Sequence, residues 1–255
     1  MIGLIDGDLI AYRCAASAEN EDLDIAIHRA NDLLDRILLD TELTEFRVFL
    51  TGKDNFRKSI YPEYKAQRTQ PKPVHLEAMR HYMIKEWNAE VCDGMEADDG
   101  MSINQQFNDT VIISLDKDML QVPGHHYSWE IAGTSHGKQW VREAKRQVIT
   151  PIEGQRLFFQ QLLKGDPSDN IKGIEGIGEK KAEKMLADCS SDQEMFDIVR
   201  EAYGNDEEMQ MNGRVLWLLR SPEDDWRKHF DAYVQKQTGG ASLEDLKGAL
   251  SIDEV

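Results

Sequence analysis

The sequence predicts an α/β protein, an open and mostly parallel sheet with flanking helices, followed by a helical region. Three observations predict it. Short apolar runs alternate with stretches of helical spacing, and each run gives way at once to acids or loop residues. Near residue 150 the alternation ends, and only helical periodicity continues.

Residues 2–6 (IGLID) read as a short buried strand ending on an acid. Residues 24–39 carry apolar side chains at 25, 27, 33, 34, 37 and 38, which is helical spacing. FRVFL (46–50) is a second strand, followed by a polar, basic segment containing Pro62, Pro71 and Pro73. Helical spacing resumes over 74–87. A short strand at 89–92 leads into a helix in MEADDGMSINQQF, and TVIISL (110–115) is the clearest strand, followed by DKD. HHYSWEI and KQWVRE read as a small hairpin or as edge strands. Thr150, Pro151 and Glu153 form a helix start, with a cap, Pro at the first helical position and an acid at the third. From there to about 236 helices and loops are expected, with a second capping box at Ser191 and Glu194. Residues 237–241 read as a flexible joint, and the last residues as a short acidic helix or a frayed tail.

Bulk composition narrows the class. The 255 residues suffice to bury a sizeable core. Three separated cysteines, Cys14, Cys92 and Cys189, form no Cys-x-x-Cys pair, so neither a disulfide framework nor a zinc site is expected. That favours a reducing, cytoplasmic compartment. No run approaches the ~20 apolar residues of a membrane span, and the N-terminus lacks a basic leader. The net charge of −17 argues on its face against nucleic acid, since phosphate binding rests on Lys and Arg. Local clustering reverses that argument.

The acids cluster where strands end: Asp6 and Asp8; Glu96, Asp98 and Asp99; Asp116 and Asp118; Asp166 and Asp169. A single Asp after a strand is usually a cap or turn residue. Four groups converging on one sheet edge would repel one another unless cations bind among them, and oxygen-only ligands suit Mg²⁺ or Mn²⁺. Glu96, Asp98 and Asp99 cannot share one helical stripe but can fan around a first turn. Two such ions would activate a water and steady the leaving oxygen of an in-line phosphodiester displacement.

The bases cluster too. Lys53, Arg57, Lys58, Lys65, Arg68 and Lys72 fall within a stretch whose only acids are Asp54 and Glu63, with Phe56, Tyr61 and Tyr64 interleaved. This mixture suits phosphate contact and base stacking, and Lys65 and Arg68 could bind a scissile phosphate. Residues 173–182 (GIEGIGEKKA) predict a tight turn at Gly176 and Gly178 into a helix starting near Glu179, with Lys172, Lys180 and Lys181 adding charge. It looks like a helix–hairpin–helix, which grips the DNA backbone without reading sequence. The histidines (28, 75, 81, 125, 126, 136, 229) show no zinc spacing and read as packing or surface. Leu216, Trp217, Leu218 and Leu219, and the face formed by Trp226, Phe230 and Tyr233, read as core.

On the segments IDGD (5–8), FRKSIYPEYKAQR (56–68), MEADD (95–99), SLDKD (114–118) and GDPSDNIKGIEGIGEKKA (165–182), the chain resembles the 5′-to-3′ exonuclease and flap endonuclease family, most closely its small bacteriophage members. The match covers roughly residues 2–190. The resemblance implies a PIN-like (Rossmann-like) nuclease domain over 1–150 with a helical arch around 53–90. It also implies a helix–three-turn–helix domain over 151–236, with its hairpin at 166–187, and a tail over 237–255. It implies two Mg²⁺ (or Mn²⁺) ions, with a potassium ion at the glycine hairpin as a further option. By motif position Asp6, Asp8, Glu96, Asp98, Asp99, Asp116, Asp118, Asp166 and Asp169 look like the metal shell, some acting through water. Lys65, Arg68 and Tyr64 look like the catalytic arch residues, with Tyr64 stacking on a base. Arg57, Lys58, Lys172, Gly176, Gly178, Lys180 and Lys181 look like the DNA contacts. The implied partner is DNA with 5′ ends, flaps or forks, or an RNA–DNA hybrid, met by a monomer in the cytoplasm, the host's if the protein is phage-encoded. One departure stands out: many members carry an Asp after the second strand, where this chain has Leu50-Thr51-Gly52, and Asp8 is placed to compensate. Two other readings use the same residues. Asp6 and Asp8 would suit an aspartate-nucleophile phosphatase, and a degenerate site would leave a non-enzymatic binder of branched DNA.

Overall fold

The computed structural model describes residues 1–135 and 138–237, so His136 and the expected joint and tail beyond Gln237 lie outside it. In chain order the elements are β1 (Ile2–Asp6), α1 (Gly7–Ser17), α2 (Leu23–Thr41), β2 (Phe46–Thr51), α3 (Phe56–Ile60), α4 (Leu76–Glu86), β3 (Glu90–Cys92), α5 (Ala97–Asn104) and β4 (Thr110–Ile113). A 3-10 turn (Lys117–Gln121) then leads to β5 (Gly124–Ser128), β6 (Ile131–Ser135), β7 (Lys138–Arg142) and β8 (Lys145–Ile149). The remainder is α6 (Pro151–Lys164), β9 (Gly165–Asp166), β10 (Ile171–Lys172), α7 (Glu179–Leu186), α8 (Asp192–Tyr203), α9 (Asp206–Leu216) and α10 (Trp226–Gln237).

Six strands form the main sheet in the order β3-β2-β1-β4-β5-β8, parallel except for β8. β1 is central because it is apolar on both faces. Ile5 faces a core shared with Ile10, Ala11, Ala30, Ile37, Val48 and Met79, while Leu4 faces Phe49, Met101, Ile112 and Met119. The chain leaves β1 for β2 on one side and returns to β4 on the other. Between β1 and β4 lies the crevice where open parallel sheets place their ligands.

The sequence reading passes over α1, which starts with no loop after β1. Gly7 makes that possible: a Cβ there would stand 2.7 Å from Val48 Cγ1 and 2.8 Å from the Phe49 carbonyl. Asp6 caps the helix, accepting from Leu9 N at 3.0 Å.

Three other expectations need correction. The segment 53–90 is helical only at its two ends, α3 and α4; between them the chain runs as turns over the sheet edge, since Pro62, Pro71 and Pro73 lack the N–H a helix needs. The region after 150 holds a two-residue antiparallel ladder, β9 with β10, besides its helices. The two halves also share their cores. Tyr64 is buried among Phe158, Phe159 and Leu162 of the helical half, and Leu218 packs on the sheet with Leu4 and Phe49. Trp226, Phe230 and Tyr233 pack together on Phe158, Phe159 and Phe196, the face their spacing predicts.

Candidate active site

Seven of the nine acids line one cavity of about 500 Å³ at the carboxyl edge of the sheet: Asp6, Asp8, Glu96, Asp98, Asp116, Asp118 and Asp169. Asp6 ends β1, Asp8 opens α1, Glu96 and Asp98 stand at the start of α5, and Asp116 and Asp118 follow β4. Asp169 enters from the loop between β9 and β10. The two remaining acids are elsewhere. Asp166, almost fully buried, lines a smaller adjoining cavity and accepts from Ser168 N and Oγ at 2.8 and 2.6 Å. It neighbours Asp118; burial disfavours its ionised form, but hydrogen bonds from Ser168 outweigh burial and hold its carboxyl below the ordinary value. Asp99 lies wholly inside the protein.

Asp99 and Arg57 form a two-pronged ion pair in which neither side chain is more than 1% exposed. Arg57 also donates to the carbonyls of Val215 and Trp217, each at 2.8 Å, and Asp99 accepts from Leu219 N at 3.2 Å. The pair therefore bolts α3 and α5 to the chain segment after α9. This corrects two expectations. Arg57 is buried with four of its five N–H donors engaged inside the protein, and both Asp99 oxygens accept hydrogen bonds there. The reason is helical geometry: Asp98 and Asp99 are neighbours, so one faces the cavity and the other the interior.

Tyr64 requires a similar correction. Its ring is buried, so it cannot stack on a base; its hydroxyl bridges Glu96 Oε2 at 2.8 Å and Asp169 Oδ2 at 3.0 Å. Lys65 and Arg68 do reach the cavity. Lys65 Nζ stands 2.6 Å from Glu96 and 3.6 Å from Asp169, and Arg68 pairs with Asp169 at 2.7 Å. Lys65 N donates to the Asp169 carbonyl at 3.0 Å, and Gln67 Nε2 to those of Pro167 and Ser168 at 3.1 and 2.8 Å. The basic segment is thus strapped to the 167–170 loop.

The acids carry unequal charge. Burial pushes Asp6 up to about 7, against hydrogen bonds from Leu9 N and Ser114, and Asp8 and Asp116 add repulsion. Burial, then Asp116 and Asp166, pushes Asp118 up to about 8. Asp98 is raised by burial and by Asp6, Asp116 and Glu96. Burial also disfavours ionised Glu96, but Lys65 and Arg57 outweigh it and hold the carboxyl below its usual value. Among the described residues no ion pair reaches Asp6, Asp98, Asp116, Asp118 or Asp166. Among the described residues, no three acids, histidines or cysteines stand close enough together to hold a metal ion as they are placed.

Several contributors escape motif reading. Ser114 Oγ donates to Asp6 Oδ2 at 2.8 Å and accepts from Asp116 N at 3.0 Å, tying two strand ends together. Asp8 accepts from Thr51 N at 2.7 Å and pairs with Arg80 of α4, so its carboxylate lies at the end of β2. Ser114 lies inside the SLDKD run and could have been flagged; Arg80 carries no local signal. Away from the basin, Gly176 adopts φ +75 and Gly178 caps α7, with Lys58, Lys172, Lys180 and Lys181 exposed. Of the two glycines, only Gly176 needs the left-handed region.

Residues 1–148 match the family model described as the 5′-3′ exonuclease N-terminal resolvase-like domain. The chain belongs to that family. A 5′-3′ exonuclease of Mycoplasma pneumoniae is 30% identical over 220 residues, covering 76% of this chain and 74% of that protein. The DNA polymerase I of Bacillus caldotenax is 31% identical over 223 residues, 79% of this chain but 25% of the polymerase. This chain thus spans about a quarter of the length of such polymerases. Among solved structures, the bacteriophage T5 flap endonuclease, in a pseudo-enzyme–product complex with DNA and metal ions, superposes with a TM-score of 0.62 at 16% identity. That match covers 92% of this chain and 94% of that one. A T5 5′-exonuclease with bound zinc gives a TM-score of 0.57 at 15% identity over 85% and 88% of the two chains. At such identity these likenesses establish the fold, a resolvase-like, mostly parallel sheet with flanking helices.

Proposed function

We propose that this member of the 5′-3′ exonuclease family is a structure-selective 5′ nuclease hydrolysing DNA phosphodiesters at the carboxylate basin. One observation carries the reading: acids from β1, α1, α5, the β4 turn and the β9–β10 loop surround a single cavity, and Lys65 and Arg68 lie along its wall. Binders of DNA need cations; only an enzyme acting on phosphate needs this many acids beside them.

The donor set fits hard divalent ions. It is all oxygen, and Asp116 opposes the ionisation of Asp6, Asp98 and Asp118 alike, none of them ion-paired among the described residues. Asp6, Asp98, Asp116 and Asp118 would hold the ions on the floor, Glu96 and Asp169 at the wall. Asp8, held at the end of β2, would stand in for the strand-end Asp that Thr51 replaces. Asp166 would act on the shell through Asp118. When bound, the ions supply water activation and neutralisation of phosphate charge.

The chain's own residues do the rest. Lys65 and Arg68 would exchange their partners Glu96 and Asp169 for the scissile phosphate and steady the charge it gains. Tyr64, by bridging Glu96 and Asp169, keeps both carboxylates turned to the cavity. Gly176, Gly178, Lys180 and Lys181, with Lys58 and Lys172, would hold the duplex backbone over 151–236 while the acids of 1–150 cleave. The finer terms of the reading are Mg²⁺ or Mn²⁺ as resident ions, potassium at the hairpin, RNA–DNA hybrid as a second substrate, and a monomer working in the cytoplasm. Nucleophilic attack by Asp6 is the rival reading, and it leaves Lys65, Arg68 and the glycine hairpin without a role.

The test is cleavage of 5′-labelled duplex, flap and RNA–DNA substrates with Mg²⁺, Mn²⁺ or a chelator, reading product lengths. Short 5′ products that vanish with the chelator are expected. Forked DNA bound without cleavage under every ion would overturn the reading, and an acyl-phosphate trapped on Asp6 would replace it.

A further inference from the structure

Two glutamines on the far wall of the basin form a hydrogen-bonded relay that the nuclease reading leaves without a role. Gln161 belongs to α6 and Gln121 to the 3-10 turn; they are 6% and 2% exposed, and both line the cavity. Gln161 Nε2 donates to Asp118 Oδ1 at 2.6 Å. Gln121 Nε2 donates to Gln161 Oε1 and, at 3.2 Å, to the Leu216 carbonyl.

The direction of the relay follows from its far end. A peptide carbonyl can only accept, so the Gln121 group facing Leu216 must be the NH₂. That NH₂ also faces Gln161, which must answer with its carbonyl oxygen. Gln161 is left to point its own NH₂ at Asp118. No other orientation satisfies all three contacts, and flipping either amide would set two acceptors or two donors against each other. The cost of such a mismatch is high at side chains this buried.

We infer that Gln161 is a positioning residue, oriented by Gln121 and the Leu216 carbonyl, that fixes the Asp118 carboxylate for divalent-ion binding. The inference rests on the metal-dependent reading above and deepens it. Asp118 lies in the first turn of the 3-10 segment, where repulsion from Asp116 favours its carboxylate swinging away. A buried NH₂ donor holds one oxygen in place and draws off part of its charge without adding a second cation that would compete with the ion. Groups that orient a metal ligand in this way commonly change ion affinity by 10- to 100-fold when removed. Gln161 lies on the first helix of the region expected to hold the duplex, and Leu216 ends the third long one. A shift of α6 or α9 would therefore reach the ion site through Asp118.

The decisive measurement is Mn²⁺ binding to the whole protein without DNA, followed by the electron paramagnetic resonance of free Mn²⁺ and by calorimetry. Gln161→Leu keeps the volume and removes the donor. It should weaken Mn²⁺ at least tenfold, while the melting curve without metal stays close to that of the wild type. In an Asp118→Asn background the same substitution should cause no further loss, because the two act as one unit. Losses that multiply in the double variant would assign Gln161 to packing and overturn the inference, as would wild-type Mn²⁺ affinity in Gln161→Leu. Should that variant fail to fold, Gln121→Met removes the orienting donor instead and should weaken Mn²⁺ in the same direction by a smaller factor; no change would count equally against the relay. A wild-type protein that binds no Mn²⁺ at all would sink the nuclease reading itself, a result distinguishable from failure of the relay alone.

Discussion

The floor and the wall of the basin are both built from carboxylates and differ in the partners those carboxylates have. On the floor, none of Asp6, Asp98, Asp116 and Asp118 is ion-paired among the described residues, and burial and repulsion drive Asp6, Asp98 and Asp118 toward the protonated form. On the wall, Glu96 and Asp169 are already matched to Lys65 and Arg68, and behind it Asp99 is matched to Arg57. Asp98 and Asp99 are adjacent in the chain yet fall on different sides of this divide. The lesson is that an acidic motif is not uniformly a metal motif. Its unpaired members can recruit ions, whereas a fully buried, fully bonded member is part of the frame.

If the contrast holds, the largest effect belongs to the floor. Asp116→Ala or Asp118→Ala should slow Mg²⁺-dependent cleavage on the order of a thousandfold, equivalent to several kcal/mol, with the circular dichroism spectrum unchanged. Full activity in either would erase the distinction.

The buried pair behind the wall should fail by unfolding instead. Arg57→Met leaves Asp99 charged and unpaired in the interior, and should lower unfolding free energy by about 3–5 kcal/mol in urea melts, with or without metal. Restoring neutrality with Arg57→Met and Asp99→Leu together should recover much of that loss. A single variant as stable as the wild type would show that the pair is not structural.

His126 gives the contrast a reference point, a titratable side chain kept neutral with no counter-charge. Its Nε2–H donates to the Val122 carbonyl at 2.7 Å; burial, with His125 and Arg220 nearby, pulls its pKa down to about 4. Between pH 6.5 and 4 the unfolded chain therefore holds the extra proton. Stability from this group is complete above pH 6.5 and is lost as the pH falls toward 4. Denaturant titrations should show His126→Gln removing on the order of 3 kcal/mol of that acid-side slope. An identical slope in the variant would shift the acid sensitivity onto the wall carboxylates.

The smallest effect is expected at Lys65, the swing member of the wall. Lys65→Ala should reduce the single-turnover cleavage rate by roughly ten- to a hundredfold, with duplex affinity in anisotropy changed less than the rate. Equal losses in both would make Lys65 an ordinary backbone contact.

Much of this molecule is legible in its sequence because the signals are local. IGLID and TVIISL are apolar runs of strand length, and they become the two central strands. Thr150, Pro151 and Glu153 start α6 as their cap pattern requires, with Thr150 Oγ1 accepting from Glu153 N at 3.4 Å. GIEGIG places a left-handed glycine just ahead of α7. The gaps have equally local causes. α1 follows its strand without any intervening loop signal, and the helical arch that the resemblance implied over 53–90 is interrupted where Pro62, Pro71 and Pro73 fall.

What the sequence by itself determined is the order of strands and helices and the gathering of acids at strand ends, because periodicity and spacing are properties of neighbouring residues. Only the tertiary structure decided which acid owns a cation, that Tyr64 and Arg57 turn inward, and that Gln161 of α6 reaches Asp118. Those contacts join residues between 31 and 160 positions apart. Charge pairing across such separations depends on where packing brings the segments together, and no stretch of chain carries that information alone.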